Sequence, residues 1–429
     1  MGGASATVEA EGVRVFVKQV PVTERELRPG NVRSTANLFG LPGFYQYGLG
    51  SAGFGAWREL AAHIMTTSWV LSDEHRAFAL LYHWRVLPGP AATEGVFAEF
   101  GGLDGAVARW EGSAAVRDRL RALRDSPARL VLFLEYVPRT LAAWMADQDL
   151  SAFARVDEQL TDTTAFMRER GLVHFDAHFL NILTDGQGLY FSDFGLALSD
   201  RFDLSDQERA FLREHYCYDR DYTAAHLVNH HVAERVRGER NRRRFVRAWA
   251  EGDRPRDVPA SAAAILARYA DTTVVFNDFH QSLMEHSKQT PYPRAELERI
   301  RARAGRREGF TTDIAKTGRL THRPAARPAS PPTMHAALSL PPEPDHVRLR
   351  SGKAHSPHRI HFPEVRFAAT HPRQEPSTVI PHAGICAGGP PVRAVPAATR
   401  RQGSERLEEL AFVDRAGRPA ETARCVSAQ

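Results

Sequence analysis

Polar and apolar positions alternate at the start of the chain, where Val13, Val15 and Val17 interleave with Arg14, Phe16 and Lys18. A two-residue period of this kind predicts a strand. A second short segment over 7–10, separated from it by Glu11-Gly12, makes the pair a candidate hairpin. A stretch over 37–57 follows that is rich in glycine and contains Pro42, which reads as a loop. Trp57, Leu60, Ala61, Ile64 and Met65 then recur at helical spacing. They predict a helix over 56–68 with those five side chains turned inward. Two more strands are expected over 79–87 and 129–137, the second around the run Leu130-Val131-Leu132-Phe133-Leu134.

Beyond Pro138 the period lengthens. A short helix is expected over 140–147, and a longer one on which Phe153, Val156, Leu160, Thr163 and Met167 share a face, ending at Arg170-Gly171. A hairpin over 182–184 and 189–192 interrupts the helices, turned by Asp185-Gly186-Gln187-Gly188. Helices resume from Ser205, Tyr222 and Ala260, and Pro291-Tyr292-Pro293 opens the last of them. From residue 304 the periodicity disappears. That segment holds 16 of the 27 prolines and is expected to be a mostly disordered tail, with a short helical stretch over 404–412 on which Leu407, Leu410 and Ala411 share a face. Its proline pairs at 328/331 and 341/344 match a P-x-x-P spacing.

Charge sharpens this division. The net charge of +5 comes from the tail, which has 19 Lys and Arg against 11 Asp and Glu, whereas residues 1–303 have 37 against 40. A nucleic-acid partner is therefore not expected from overall charge, and the cluster of Arg240, Arg242, Arg243, Arg244 and Arg247 reads as a solvated helix face. No apolar run is long enough to span a bilayer, so no membrane partner is expected. The three cysteines, Cys217, Cys386 and Cys425, have no paired spacing, and the amino terminus lacks the order of a secretory signal. A cytoplasmic location is the expectation.

The chemistry-bearing segment is Val173-His174-Phe175-Asp176-Ala177-His178-Phe179-Leu180-Asn181-Ile182-Leu183, followed by Ser192-Asp193-Phe194-Gly195-Leu196-Ala197. It resembles the catalytic and metal-binding loops of the protein-kinase-like superfamily, H-x-D-x-x-x-x-N and then D-F-G. The resemblance implies an α+β, two-lobed fold: a small antiparallel sheet lobe with its hinge over 1–137, a helical catalytic lobe over 138–303, and the tail over 304–429. ATP would lie between the lobes. Asp176 would orient an acceptor hydroxyl and take its proton, and Asn181 and Asp193 would hold Mg²⁺ against the phosphates. His174 reads as a packed residue bracing the loop.

The resemblance extends backward. Val15-Phe16-Val17-Lys18 is similar to the V-A-I-K strand whose lysine meets the α and β phosphates. Glu59 on the following helix is its expected partner and Glu74 the competitor, in an exposed pair that matters for catalysis and little for folding. Leu134 would be the gatekeeper, with the backbone of Glu135 and Val137 meeting the adenine edge. Gly2 and Gly3 are all that stands for the glycine-rich phosphate loop. Asp219 and Asp221 are candidates to tether the catalytic loop or to cap their helix.

Several departures narrow the reading. Phe175 replaces the arginine of H-R-D, His178 replaces a lysine of protein serine/threonine kinases, and no A-P-E follows Gly195. H-x-D-x-H-x-x-N-I-L is closer to aminoglycoside and choline phosphotransferases, so the acceptor implied is a hydroxyl on a protein or a small molecule. The shortened phosphate loop keeps open a different class, a pseudokinase or ATP-binding scaffold without turnover.

Overall fold

The expected hairpin forms where the valine alternation places it. In a computed structural model that describes residues 5–10, 12–89, 97, 100–304, 410–413 and 419–423, strands β1 (Ser5–Ala10) and β2 (Val13–Val22) pair antiparallel, Ala10 opposite Val13 and Ser5 opposite Lys18. A short helix α1 (Glu24–Leu27) and a loop containing a 3₁₀ turn (Gly43–Gln46) lead to α2 (Ala56–Leu71). After β3 (Leu81–Pro88), α3 (Leu103–Arg109) and α4 (Ala114–Arg124), strand β4 (Ala128–Glu135) inserts between β2 and β3. The four strands make one antiparallel sheet in the order β1-β2-β4-β3, with Lys18 opposite Leu132.

The period of two decides what each face of β2 does. Phe16, Val20 and Val22 share a face with Lys18 and pack with Leu130, Leu132 and Leu134 against Trp57 and Leu60 of α2. Val15 and Val17 pack on the other face with Val131. Leu60 is 2% exposed, and cutting such a side chain back to alanine costs about 2–5 kcal/mol. α2 sits in a different rotation from the one its apolar period suggests. Trp57, Leu60 and Met65 are buried, but Ile64 is 40% exposed, while the polar Glu59 and His63 are inside. Glu59 is drawn inward by a cation on the sheet, and the helix turns Ile64 out as a consequence.

The remainder is mainly helical. β5 (Arg139–Thr140), α5 (Leu141–Ala146), α6 (Phe153–Glu169), β6 (Leu172–Val173), β7 (Ile182–Thr184), β8 (Leu189–Phe191) and β9 (Leu198–Ser199) precede α7 (Asp206–His215) and α8 (Tyr218–His226). A π-helical turn (Leu227–Ala233) runs into α9 (Glu234–Arg237), followed by α10 (Arg242–Ala250), α11 (Ala260–Glu285) and α12 over 294–304. β5, β7 and β8 form a three-stranded sheet, and β6 pairs with β9. All five residues expected on the inner face of α6 are buried. α8 begins at Tyr218, four positions before the expected start at Tyr222, and so takes Asp219 and Asp221 into its first turn. Among the described residues no helix is long and apolar enough to cross a membrane.

Further on, β10 (Leu410–Val413) pairs antiparallel with β11 (Pro419–Ala423). Leu410, Ala411 and Phe412 are therefore strand rather than the end of a short helix, since a partner strand takes up the backbone hydrogen bonds that a helical turn would have used. The rest of the expected tail, with its proline pairs, lies outside the described residues.

Candidate active site

The site is assembled from the amino-terminal end of α2. Gly55 offers that helix no side-chain cap. The missing acceptor comes from Glu26, whose Oε1 takes the Ala56 N–H at 2.8 Å and whose backbone carbonyl takes the Trp57 indole N–H at 3.0 Å. Glu26 is also the N3 residue of a capping box with Thr23, and its Oε2 pairs with Arg119 at 3.0 Å in a fully buried contact. One carboxylate thus joins α1, α2 and α4 and sets the height of α2 over the sheet. On the far side, Arg58 ties α2 to α7 through a buried ion pair with Glu208 at 2.7 Å.

With α2 held there, Glu59 faces β2. Lys18 Nζ stands 2.7 Å from Glu59 Oε1 and donates a 2.7 Å hydrogen bond to Asp193 Oδ1. The sequence reading paired Lys18 with Glu59 but expected an exposed pair. Both side chains are less than a tenth exposed, because the sheet and α2 close over them, and Asp193 is one-third exposed. Burial alone would lower the Lys18 pKa, but Asp193 and then Glu59 more than offset it and raise it. Burial would likewise raise that of Asp193, and Lys18 turns the balance so that it lies well below the usual carboxylate range. Glu59 goes the other way, raised by burial and by Asp193 despite Lys18. Glu74, the competitor, instead pairs with Arg170.

The loop after β6 is held from beneath. Asp219 on α8 accepts the N–H groups of His174 at 2.6 Å and of Phe175 at 2.9 Å. It is the tether considered from the sequence, whereas Asp221 is spent on Arg301 and Tyr292, each at 2.5 Å. Two bonds to consecutive amides hold Phe175 at φ 63, a left-handed conformation that disfavours a bulky residue. Asp193 is left-handed too, at φ 59. These two, of five described non-glycine residues at positive φ, lie beside Asp176 and at the Lys18 contact. His174 braces the loop: Nε2–H donates to Ser192 O at 2.8 Å, which leaves Nδ1 to accept the Asp176 N–H at 3.3 Å. Asn181 Nδ2 donates to Asp176 O at 2.9 Å and to Asp176 Oδ2 at 3.2 Å. Ser192 bonds back to Asn181 O, so the two loops adjoin.

Phe194 packs between two histidines. Its ring is 5.0 Å from that of His63 and 5.0 Å from that of His174. His63 is fully buried, neither of its ring nitrogens has a hydrogen-bond partner, and burial lowers its pKa to about 3. The sequence reading missed it, although its place one helical turn after Glu59 was a signal. Glu26 and Gly48 were missed as well.

Leu134 is buried at the end of β4 between Phe16 and Leu81. Glu135 donates its N–H to Leu80 O at 2.8 Å, and Val137 lies half-buried in the link from β4 to β5. Gly2 and Gly3 lie outside the described residues. Lys18, Glu59 and Asp193 therefore meet directly, and Asp176 and Asn181 adjoin them through Ser192.

No family model matches the chain, and no curated protein matches it.

Proposed function

We propose that the chain is an ATP- and Mg²⁺-dependent phosphotransferase with a two-lobed, protein-kinase-like arrangement, moving a γ-phosphoryl group to a hydroxyl on a protein or small molecule. The observation that carries this reading is Lys18 held between Glu59 and Asp193, each 2.7 Å away. A lysine so fixed presents a positioned charge to phosphate oxygens, which is what phosphoryl transfer asks of a protein.

The residues fit the metal as well. Asn181 has committed its amide nitrogen to Asp176, which leaves its carbonyl oxygen, and Asp193 has a second carboxylate oxygen beyond the one bonded to Lys18. One or two such oxygens, completed by phosphates and water, suit Mg²⁺. The ion would neutralise charge on the phosphates. Asp176 would align the acceptor hydroxyl and receive its proton, and Leu134, Glu135 and Val137 would border the adenine.

A scaffold without turnover is favoured by one observation: Oδ1 of Asp176 is buried and has no hydrogen-bond partner. Calorimetry and ATP turnover on two variants decide between the readings. Asp193→Ala should lose Mg²⁺-dependent ATP binding, whereas Asp176→Ala should bind Mg·ATP nearly as well as the natural chain and turn none over. Equal binding by both variants would overturn the roles assigned, and Mg·ATP binding by the natural chain with no turnover would favour the scaffold.

A further inference from the structure

The loop between α1 and α2 passes directly over Asp176. A β-carbon at residue 48 would overlap Asp176 Oδ1 and stand 3.0 Å from its Cγ, so any larger residue there would require the Asp176 carboxylate to shift. Oδ1 is buried beneath it and the His178 imidazole nitrogen Nε2 is 3.7 Å away, beyond hydrogen-bond reach, although the Asp176 side chain as a whole is 19% exposed. The carboxylate keeps Oδ2 for Asn181. Leaving a carboxylate oxygen dry and unpaired is costly, so this contact is a state the molecule gains by leaving once a donor arrives.

The loop is held on either side of Gly48 by packing and by hydrogen bonds, with Tyr47 and Leu49 buried in the core and the Tyr47 ring against Phe175 and Phe211. Tyr47 donates its hydroxyl to His215 Nε2 at 2.8 Å, since His215 Nδ1–H is already given to Phe211 O at 2.7 Å. Arg109 Nε donates to Leu49 O at 2.7 Å. Gln46 bonds Leu196 O, just past the Asp193 loop.

We propose that residues 47–49 are an autoinhibitory gate: the Gly48 main chain covers Oδ1 of Asp176, and the acceptor hydroxyl reaches that oxygen only when this segment lifts. This rests on the phosphotransferase reading for the role of Asp176, but the gate itself is a matter of access. It also accounts for the buried oxygen that otherwise favours a scaffold. The Tyr47–His215 bond is the latch, and the absent side chain at residue 48 permits closure.

Access is measured without catalysis by placing a thiol under the gate. In the full-length chain carrying Asp176→Cys, the rate of iodoacetamide labelling at residue 176 is read by mass spectrometry, alone and combined with Tyr47→Phe or with Gly48→Ala. Labelling at least ten-fold faster in the combined variants is expected, with melting temperatures showing that both remain folded. Tyr47→Phe removes a single hydroxyl and serves if Gly48→Ala fails to fold. Equal labelling rates in the folded chains would overturn the gate. In chains that keep Asp176, Tyr47→Phe should raise Mg·ATP turnover at least three-fold. Reduced turnover despite faster labelling would mean that the segment is a fixed part of the working site, and the gate would be wrong. Faster labelling with no turnover in any chain would support the gate as a barrier and sink the phosphotransferase reading alone.

Discussion

Lys18 and Glu59 form an ion pair of 2.7 Å beneath the sheet, and the same ammonium is bonded to Asp193. Substituting Lys18 by methionine leaves two carboxylates facing each other with their shared cation gone. Breaking a buried pair from one side costs about 3–5 kcal/mol, more than an exposed pair would. Lys18→Met should therefore lower stability in denaturant titrations as well as phosphate affinity. Glu59→Gln should cost less, because the amide leaves no second charge behind. The two should combine non-additively, as residues in one network do. Additive losses, or a Lys18→Met chain as stable as the natural one, would contradict the coupling.

Asp219 positions the loop that carries Asp176. Asp219→Ala leaves the His174 and Phe175 amides buried and unpaired, at about 1–3 kcal/mol each. It also removes what holds Phe175 at positive φ. The expected result is a destabilised chain whose turnover falls at least ten-fold while Mg·ATP affinity is nearly kept, partly rescued by Asn at the same position. An equal loss of affinity would show that the effect is general unfolding.

Acid should destabilise the protein from a higher pH than its carboxylates suggest. Burial lowers the pKa of His63 and His231 to about 3 and of His215, His230 and His280 to about 4. An unfolded histidine titrates near 6.5. Between those values the unfolded chain binds more protons, so stability is fully present above about pH 6.5 and falls as pH drops toward 4. Each such histidine contributes at most about 1.4 kcal/mol per pH unit. Glu59, with its raised pKa, acts in the opposite sense. Melting temperatures from pH 7.5 to 4.5 should decline steadily, and His63→Leu should flatten the decline without loss at pH 7.5, since neither ring nitrogen has a partner. A profile unchanged by His63→Leu would remove that residue from the account.

A chain ending at Ala304 should fold and keep whatever nucleotide affinity the whole has. The sequence beyond it has no core-forming periodicity, and the buried residues of α12, such as Leu297, precede it. Thermal unfolding of the two chains compares them directly. A large loss on truncation would mean that the later residues pack against the rest.

Local pattern by itself determined the elements whose order depends on near neighbours. The β1–β2 hairpin follows from valine alternation about Glu11-Gly12, the inner face of α6 from five residues at helical spacing, and the loops carrying Asp176, Asn181 and Asp193 from two short motifs. Tertiary structure decided what depends on residues far apart in the chain. Ile64 looked like core and is exposed, because the Lys18 cation draws Glu59 inside and rotates α2. Glu26 carried no signal in the sequence and is the buried cap of α2. Gly48 looked like one more loop glycine and lies against Asp176. A period along the chain reports which side of an element is apolar, but it carries no information about the charge waiting on the surface opposite. Burial of an ion pair or close approach of a main chain is settled only when both partners are brought together, and at that point the cost of an unpaired buried charge outweighs the preference of a single apolar side chain.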